Sequence, residues 1–258
     1  MPESVVKVFV DRSALTLAVA EAFTRAAEQA VAQRGRFLTA LAGGGTPQAL
    51  HELLAQLPYR DRLPWAHMHF FWGDERCVPP DHAESNYGQA QQALLDHVAA
   101  PPENIHRVRG EWDPYAAAAD YIRQLRALAE PGLTWPRFDW VFLGLGGDGH
   151  TASLFPESPL PTPDDVPVTV VTAHYQGRPA ERVTLTPQVF NVARAVAFVA
   201  TGKAKALAVA ATLAGPHDPV RWPAQRIAPD DGVITYWLDA GAASQLPGIG
   251  NPASPILE

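Results

Sequence analysis

An aspartate and a histidine stand two residues apart in the segment GLGGDGHTASLFP, where Asp148 and His150 follow an apolar run, residues 138–145. The run predicts a buried strand, and the glycines around the two side chains predict a loop. A carboxylate beside an imidazole can fix its tautomer and orient it for general base catalysis. A lone histidine is more often structural, but this loop offers it little to pack against. We therefore interpret His150 as a catalytic residue, with Asp148 beside it.

A glycine-rich segment, LAGGGTP, joins a predicted strand, residues 37–41, to a predicted helix, residues 47–57. Glycine lets backbone N–H groups approach an oxyanion closely, and the dipole of the following helix favours negative charge. Four residues are therefore candidates for binding an anion: Gly43, Gly44, Gly45 and Thr46. The competing interpretation is a tight strand-to-helix turn, which also needs glycine. The segment matches neither GxxxxGK[ST] nor GxGxxG, so the pattern disfavours nucleotide binding.

Charged side chains follow two other predicted strands. Asp74, Glu75 and Arg76 come after residues 67–72, where three charges would by default form a solvated turn. Arg76 could instead bind a carboxylate or phosphate, and Asp74 could hold a proton-transfer partner. Lys203 stands at a predicted helix start, where the macrodipole disfavours a cation, and this position suggests a bound anion. Lys205 reads as an ordinary exposed lysine.

The elements that must position these residues alternate along the chain. The predicted strands are residues 5–10, 37–41, 67–72, 138–145, 166–171, 182–185, 195–200 and 233–238, and the predicted helices are residues 13–33, 47–57, 87–98, 114–128 and 202–213. This order predicts an α/β fold, a mostly parallel sheet with helices on both faces. Ligands of such sheets bind beyond the carboxyl ends of the strands, where the residues above lie.

The composition narrows the class of protein. Of 258 residues, 47% are apolar and 18% charged, which favours a globular chain over a disordered one. The formal net charge of −7 disfavours nucleic acid or an anionic membrane as the main partner. A small anionic substrate remains compatible with it, because a few arginines and lysines can bind such a molecule locally.

The single cysteine, Cys77, lies in an apolar stretch, which favours a packing role and a reducing compartment. The sequence shows no signal-peptide pattern and no apolar run long enough for a membrane helix, so we expect a cytoplasmic protein. No linker or internal repeat divides the chain. We therefore expect one domain, residues 1–245, followed by a mobile tail, residues 246–258.

Five segments occur in the order seen in the 6-phosphogluconolactonase family: LAGGGTP, FFWGDERCVP with SNY after it, FLGLGGDGHTASLFP, RVTLTP and FVATGKAKA. The chain resembles this family over residues 36–213 and, more loosely, over nearly its whole length. The combination of segments is highly specific, although no single segment is. The resemblance implies a Rossmann-like α/β fold, shared with the glucosamine/galactosamine-6-phosphate isomerase superfamily.

The resemblance also implies a reaction, the hydrolysis of 6-phospho-D-glucono-1,5-lactone to 6-phospho-D-gluconate in the oxidative pentose phosphate pathway. Neutral His150, flanked by Asp148 and Asp74, would take a proton from the water that attacks the lactone carbonyl. The resemblance implies no cofactor and no metal ion. Its expected partner is the small phosphosugar lactone, and we expect a monomer, as is common for stand-alone relatives.

The resemblance also implies which residues bind the substrate. The glycine-rich segment would hold the substrate phosphate together with Lys203 and Arg182, and Arg76 would face the substrate or order the site. Relatives usually carry SGGST in this segment, where this chain has Ala42 and Gly45. Two hydroxyl donors are therefore missing, and phosphate binding must depend more on backbone N–H groups, Thr46 and the cations.

Three alternatives remain. An amino-sugar-phosphate deaminase or isomerase of the same fold would carry a glutamate five residues after the histidine, but that position is Phe155, and Glu157 lies beyond a proline. A non-catalytic sugar-phosphate sensor would keep the glycine-rich segment and lose the Asp148–His150 pair, which is present here. A scaffold protein would not explain the glycine loop, the histidine loop and the helix-start lysine at strand ends.

Overall fold

The computed structural model of the protein describes residues 4–158, 166–174 and 177–248. Its strands are β1 (Ser4–Phe9), β2 (Phe37–Leu41), β3 (Met68–Trp72), β4 (Asp74–Arg76), β5 (Trp140–Gly144), β6 (Val168–Thr172), β7 (Glu181–Leu185), β8 (Ala195–Ala200) and β9 (Val233–Asp239). Its helices are α1 (Arg12–Arg34), α2 (Gly45–Leu54), α3 (Tyr59–Arg62), α4 (Asn86–Ala93), α5 (Pro114–Ala127), α6 (Pro187–Phe190) and α7 (Ala206–Ala214).

Six of the strands form one parallel sheet in the order β1-β9-β8-β5-β2-β3. On β5, Val141 and Leu143 belong to the apolar core on one face and Phe142 to the core on the other, because successive side chains point to opposite faces. Helices α5, α6 and α7 contribute to the first core, and α1, α2 and α4 to the second. The predicted α/β fold, a mostly parallel sheet with helices on both faces, is confirmed.

A second, antiparallel sheet contains β4, β7 and β6 in the order β4-β7-β6. The segment Asp74–Arg76, expected as a charged turn, is strand β4, and all three of its side chains are buried. Gly73 carries the chain between the sheets, since its N–H donates to the Leu41 carbonyl and its own carbonyl accepts from the Leu185 N–H. Three charged residues show no apolar alternation, so hydrophobic periodicity does not reveal this strand.

Aspartate side chains cap the starts of two helices. The Asp11 side chain accepts a hydrogen bond from the Ala14 N–H at the start of α1, and Asp113 accepts two at the start of α5. At the end of α1, Gly35 adopts a left-handed conformation with φ 74°. The predicted boundaries of these two helices therefore lie close to the observed ones.

Two predicted helices are shorter than expected. The helix predicted over residues 87–98 ends at Ala93, before a 3-10 turn, Leu95–His97. The helix predicted over residues 202–213 begins as a 3-10 turn, Lys203–Lys205, and becomes α-helical only at Ala206. Most of the expected mobile tail, residues 249–258, lies outside the described residues. Within the described ranges, every helix is too short or too polar to span a bilayer.

Candidate active site

A cavity of about 460 Å³ opens at the carboxyl ends of β2, β5 and β8. Its walls are the glycine loop (residues 42–47), strand β4, the loop after β5, the β6–β7 hairpin and the turn after β8. The polar side chains in these walls are Thr46, Asp74, Arg76, Asn86, His150, Arg178, Arg182, Thr201 and Lys205. The sheet edge at which the sequence predicts the site therefore forms one continuous cavity.

His150 lines this cavity, and its Nδ1 lies 2.6 Å from Asp148 Oδ1. The backbone N–H of His150 donates to the same oxygen at 3.2 Å. In the neutral imidazole Nδ1 carries the proton of this bond, so Nε2 is the basic nitrogen. Gly146 makes the arrangement possible, because a Cβ there would lie 2.1 Å from His150 Nδ1 and 2.4 Å from Asp148 Oδ1. The predicted carboxylate–imidazole pair is present, although Asp148 itself is not part of the cavity wall.

The loop that carries His150 is folded back on its own backbone. The Gly146 N–H donates to the His150 carbonyl at 2.7 Å, and Thr151 Oγ1 donates to the Gly144 carbonyl at 2.9 Å. Ala152, which lines the cavity, has a left-handed backbone with φ 47°, an uncommon conformation for a residue with a Cβ. Such strain persists only where surrounding bonds determine the conformation, and it is frequent in functional loops.

Asp74 holds the same loop from strand β4. Its Oδ2 accepts a hydrogen bond from Ser153 Oγ at 2.6 Å, and Arg182 Nη1 lies 4.0 Å from that oxygen. Because Ser153 is three residues beyond His150, the Asp74 carboxylate anchors the segment that positions the imidazole. A direct part for Asp74 in proton transfer stays a prediction.

Glu75, for which the sequence predicts no role, caps helix α4. Its carboxylate accepts from the backbone N–H groups of Asn86 and Tyr87, each at 2.7 Å, and from Ser85 Oγ at 3.1 Å. Burial raises the pKa of Glu75, and three backbone N–H donors, those of Tyr87, Asn86 and Arg76, act in the opposite direction. The capped helix start fixes Asn86, whose Nδ2 donates to the Asp74 carbonyl at 2.8 Å.

The glycine loop and the first turn of helix α2 line the cavity. Helix α2 begins at Gly45, so the N–H groups of Gly45 and Thr46 belong to its first turn, which has no acceptor within the helix. Gly44 precedes them with φ 100°, a conformation that favours glycine. Thr46 Oγ1 lies 2.9 Å from Thr201 Oγ1, which ties the loop to the end of β8. N–H groups at a helix N-terminus suit an oxyanion such as phosphate.

Replacing Gly43 by alanine is expected to displace the glycine loop. A Cβ on Gly43 would lie 1.7 Å from Asn86 Oδ1 and 2.3 Å from its Cγ, and Asn86 is buried and held by Glu75. We expect Gly43→Ala to lower the free energy of unfolding by about 1–3 kcal/mol, the usual cost of overpacking, and to raise KM. Urea denaturation and steady-state kinetics measure the two effects.

Gly45→Ala is the matched control for this substitution. A Cβ there meets only Arg12 Nη2 at 4.0 Å, an ordinary contact, so we expect near wild-type stability. Combining Gly43→Ala with Asn86→Ala should recover part of the lost stability, because the second change removes the clashing amide. Equal stability of the two single glycine variants would contradict the prediction.

Two buried arginines lie side by side in the cavity wall. Arg76 is opposite Arg182 across β4 and β7, and both side chains are buried. The Arg76 guanidinium donates to the Glu84 carbonyl and lies 3.4 Å from the Glu84 carboxylate. Arg178, which precedes β7, adds an exposed guanidinium that no sequence pattern indicates. Guanidinium groups of this kind bind carboxylate and phosphate groups.

Lys203 and Lys205 lie in the reverse of the expected arrangement. Lys203 is exposed and is not part of the cavity wall, whereas Lys205 lines it. Because Lys203–Lys205 is a 3-10 turn, the residue at the N-cap of α7 is Lys205. The unfavourable cation at a helix N-terminus, which suggests a bound anion, is therefore Lys205. The sequence does contain this indication, a lysine at a helix start. Which lysine it is depends on the helix boundary, which local propensity defines only to within a few residues.

His51 lies behind the glycine loop on helix α2 and is completely buried, and burial lowers its pKa to about 4. As the pH falls, His51 therefore becomes protonated near pH 6.5 in the unfolded chain but only near pH 4 in the folded protein. The contribution of neutral His51 to the free energy of unfolding should be complete above pH 6.5. It should decrease by up to about 3 kcal/mol as the pH falls towards 4. We expect His51→Leu to flatten this part of the pH profile, measured by urea unfolding.

His217→Leu, which alters an exposed histidine, is the control for that measurement. Its pH profile between 6.5 and 4 should keep the wild-type slope. An unchanged slope in His51→Leu would show that other groups cause the acid destabilisation.

Among the described residues, no group of three histidine, cysteine or acidic side chains could hold a metal ion. The half-buried Cys77 packs against the core, and burial raises the pKa of its thiol to about 11. Little thiolate is present at neutral pH, which agrees with the packing role predicted for it.

The chain is similar to known proteins in both sequence and structure. The sequence model of glucosamine-6-phosphate isomerases/6-phosphogluconolactonase matches residues 10–237. A 6-phosphogluconolactonase of Synechocystis sp. is 42% identical over 221 residues, which cover 84% of this chain and 88% of that protein. The 6-phosphogluconolactonase of Aggregatibacter actinomycetemcomitans is 38% identical over 206 residues, with 80% and 86% coverage. The solved 6-phosphogluconolactonase of Trypanosoma brucei has a TM-score of 0.83 at 29% identity, and the match covers 95% of this chain and 100% of that one.

Proposed function

The chain belongs to the glucosamine-6-phosphate isomerase/6-phosphogluconolactonase family, and from this membership and its cavity we propose that it hydrolyses 6-phospho-D-glucono-1,5-lactone to 6-phospho-D-gluconate. The observation that carries the proposal is the cavity that holds both the imidazole of His150, bonded to Asp148, and the glycine loop. One part can activate water, and the other can hold a phosphate at a distance from the reacting carbon.

The proton transfers are assigned to His150. Nε2 of the neutral imidazole takes a proton from water, and the water oxygen attacks the lactone carbonyl carbon. The tetrahedral intermediate collapses by breaking the bond between that carbon and the ring oxygen, which receives the proton back from the imidazolium. Asp148 keeps the ring in the required tautomer and stabilises its charged form through the 2.6 Å bond to Nδ1.

The substrate phosphate is assigned to the glycine loop and the adjacent cations. The first-turn N–H groups of α2 supply donors, and Lys205 and Arg182 supply positive charge in the same cavity wall. Lys205 takes the role that the family resemblance implies for Lys203. Binding energy from the phosphate would serve mainly to hold the carbonyl beside His150, because the phosphate does not take part in the reaction.

Phe155 favours hydrolysis over the deaminase alternative. The side chain at this position is a buried aromatic ring, whose centre lies 5.3 Å from that of the His150 ring. A carboxylate at this position would be needed for the proton transfers of the deaminase, according to the family pattern. An apolar ring limits the water around the imidazole and supplies no second acid or base.

The decisive experiment is an assay with freshly generated 6-phosphoglucono-δ-lactone, in which the formation of 6-phosphogluconate is followed above the spontaneous rate. We expect saturable acceleration by the wild-type protein. Incubation with glucosamine 6-phosphate should release no ammonia. Ammonia release would favour the deaminase, and phosphosugar binding without any hydrolysis would favour a sensor.

We further propose that the chain acts as a monomer in the cytoplasm. The single cysteine of the sequence suits a reducing compartment. Size-exclusion chromatography with light scattering should give a mass close to the 27.9 kDa of one chain.

A further inference from the structure

Asp239, the last residue of β9, makes hydrogen bonds that join β9 to the turn after the neighbouring strand β8. The Gly202 N–H donates to both of its carboxylate oxygens, each at 2.9 Å. The Ala242 N–H donates to Oδ1 at 2.7 Å. The carboxylate itself is not part of the cavity wall. Its position therefore points to a role in the conformation of the turn and not to contact with substrate.

The turn held in this way is the one that carries Lys205. Gly202 has a left-handed backbone with φ 89°, and its carbonyl accepts from the Lys205 N–H at 3.0 Å. One tight turn thus separates the anchored N–H of Gly202 from the lysine that lines the cavity. A change of backbone direction at Gly202 would redirect Lys205.

Gly241 supports the turn from the same side. A Cβ on Gly241 would lie 3.0 Å from the backbone nitrogen of Lys203, 3.2 Å from the Gly202 carbonyl carbon and 3.3 Å from Asp239 Oδ1. A side chain at position 241 would therefore press against the backbone of the turn, and only glycine permits this close approach. The segment after β9 and the turn after β8 are therefore packed as one unit.

The charge of Asp239 also suits this place. Two lysines, Lys203 and Lys205, stand at the positive end of the α7 dipole, where cations are disfavoured. An acidic side chain that accepts from the N–H group at this helix start offsets that repulsion. Among the described residues, Asp239 is the acidic group that hydrogen-bonds this turn.

We propose that Asp239 is a positioning residue, which holds the Gly202–Lys205 turn in the conformation that presents Lys205 to the substrate phosphate. This proposal rests on the proposed function, in which Lys205 binds that phosphate. It adds a residue outside the cavity to the machinery of substrate binding.

The test is the split between KM and kcat. We expect Asp239→Ala to raise KM for the phosphorylated lactone about tenfold, with kcat within about twofold of wild type. Asp239→Asn should have a smaller effect, because its Oδ1 can still accept from both Gly202 and Ala242. This milder variant also serves if the alanine variant does not fold.

Asp113→Ala is the matched control, since Asp113 also caps a helix start with its carboxylate and is not part of the cavity wall. It should lose stability and keep the wild-type KM. In the double variant Asp239→Ala/Lys205→Ala, KM should be no higher than in Lys205→Ala alone, because one residue acts through the other. Multiplicative effects on KM, or an unchanged KM in Asp239→Ala, would overturn the proposal.

A second readout does not depend on catalysis. Inorganic phosphate should raise the Tm of the wild type and of Asp113→Ala, and it should do so less in Asp239→Ala and Lys205→Ala. If the wild type does not hydrolyse the lactone, the proposed function fails, and this comparison still tests Asp239. Equal phosphate-induced shifts in all four proteins would reject the positioning role.

Discussion

Replacing His150 by alanine is expected to lower kcat by about 10²–10⁴-fold, the usual contribution of a general base, with little change in KM. The imidazole lines the cavity and is bonded to Asp148, and its removal leaves in place the residues proposed to bind the phosphate. The spontaneous opening of the lactone sets the floor of the assay. Kinetics with freshly generated lactone, corrected for that background, measure the effect.

Asp148→Asn tests the same pair from the other side. An amide in place of the carboxylate can still bond to Nδ1, but it stabilises the imidazolium less and permits the other tautomer. We therefore expect a smaller fall in kcat than in His150→Ala. His217→Ala, at an exposed histidine, should have wild-type kinetics. A kcat within about threefold of wild type in His150→Ala would remove His150 from the mechanism, since general base catalysis contributes far more.

Replacing Lys205 by alanine is expected to raise KM by about 10- to 100-fold, the value of one hydrogen bond between charged groups, while kcat changes only a few-fold. Lys205 lines the cavity at the N-cap of α7, where its charge is unfavourable unless an anion is bound. A contact equally strong in the ground state and the transition state appears in KM. Steady-state kinetics over a wide range of lactone concentrations measure both constants.

Lys203→Ala is the matched control. Lys203 carries the same charge as Lys205 and lies two residues from it, but its side chain is exposed. We expect its KM within about twofold of wild type, because an exposed charge outside the cavity is screened by solvent. The reverse result, with Lys203 important and Lys205 dispensable, would restore the expectation drawn from the sequence. It would also show that the 3-10 turn is rearranged when substrate binds.

Local signals predicted the parts of this protein that are encoded by contiguous residues. The apolar run that becomes β5 and the glycine-rich segments after β2 and β5 were identifiable because buried strands and tight turns each leave a pattern in neighbouring residues. The Asp148–His150 bond was foreseeable for the same reason, since the two residues lie on one short loop.

Pairings between distant segments were not visible in the same way. Strand β4 exists because Gly73 turns the chain onto β7, about a hundred residues later in the sequence. The bond between Ser153 and Asp74 depends on that pairing, and it gives Asp74 a partner that no spacing indicated. Asp239 bonds to the turn after β8 because β8 and β9 are adjacent, which only the strand order establishes.

The sequence by itself determined the class of fold, the edge of the sheet that carries the candidate site, and the imidazole and glycine loop that line its cavity. Each of these follows from short-range patterns of hydrophobicity and backbone freedom. Only the tertiary structure decided which lysine reaches the cavity and which carboxylates hold the loops. Those choices depend on a helix boundary and on contacts between strands far apart in the chain, and local propensity is too weak to specify either.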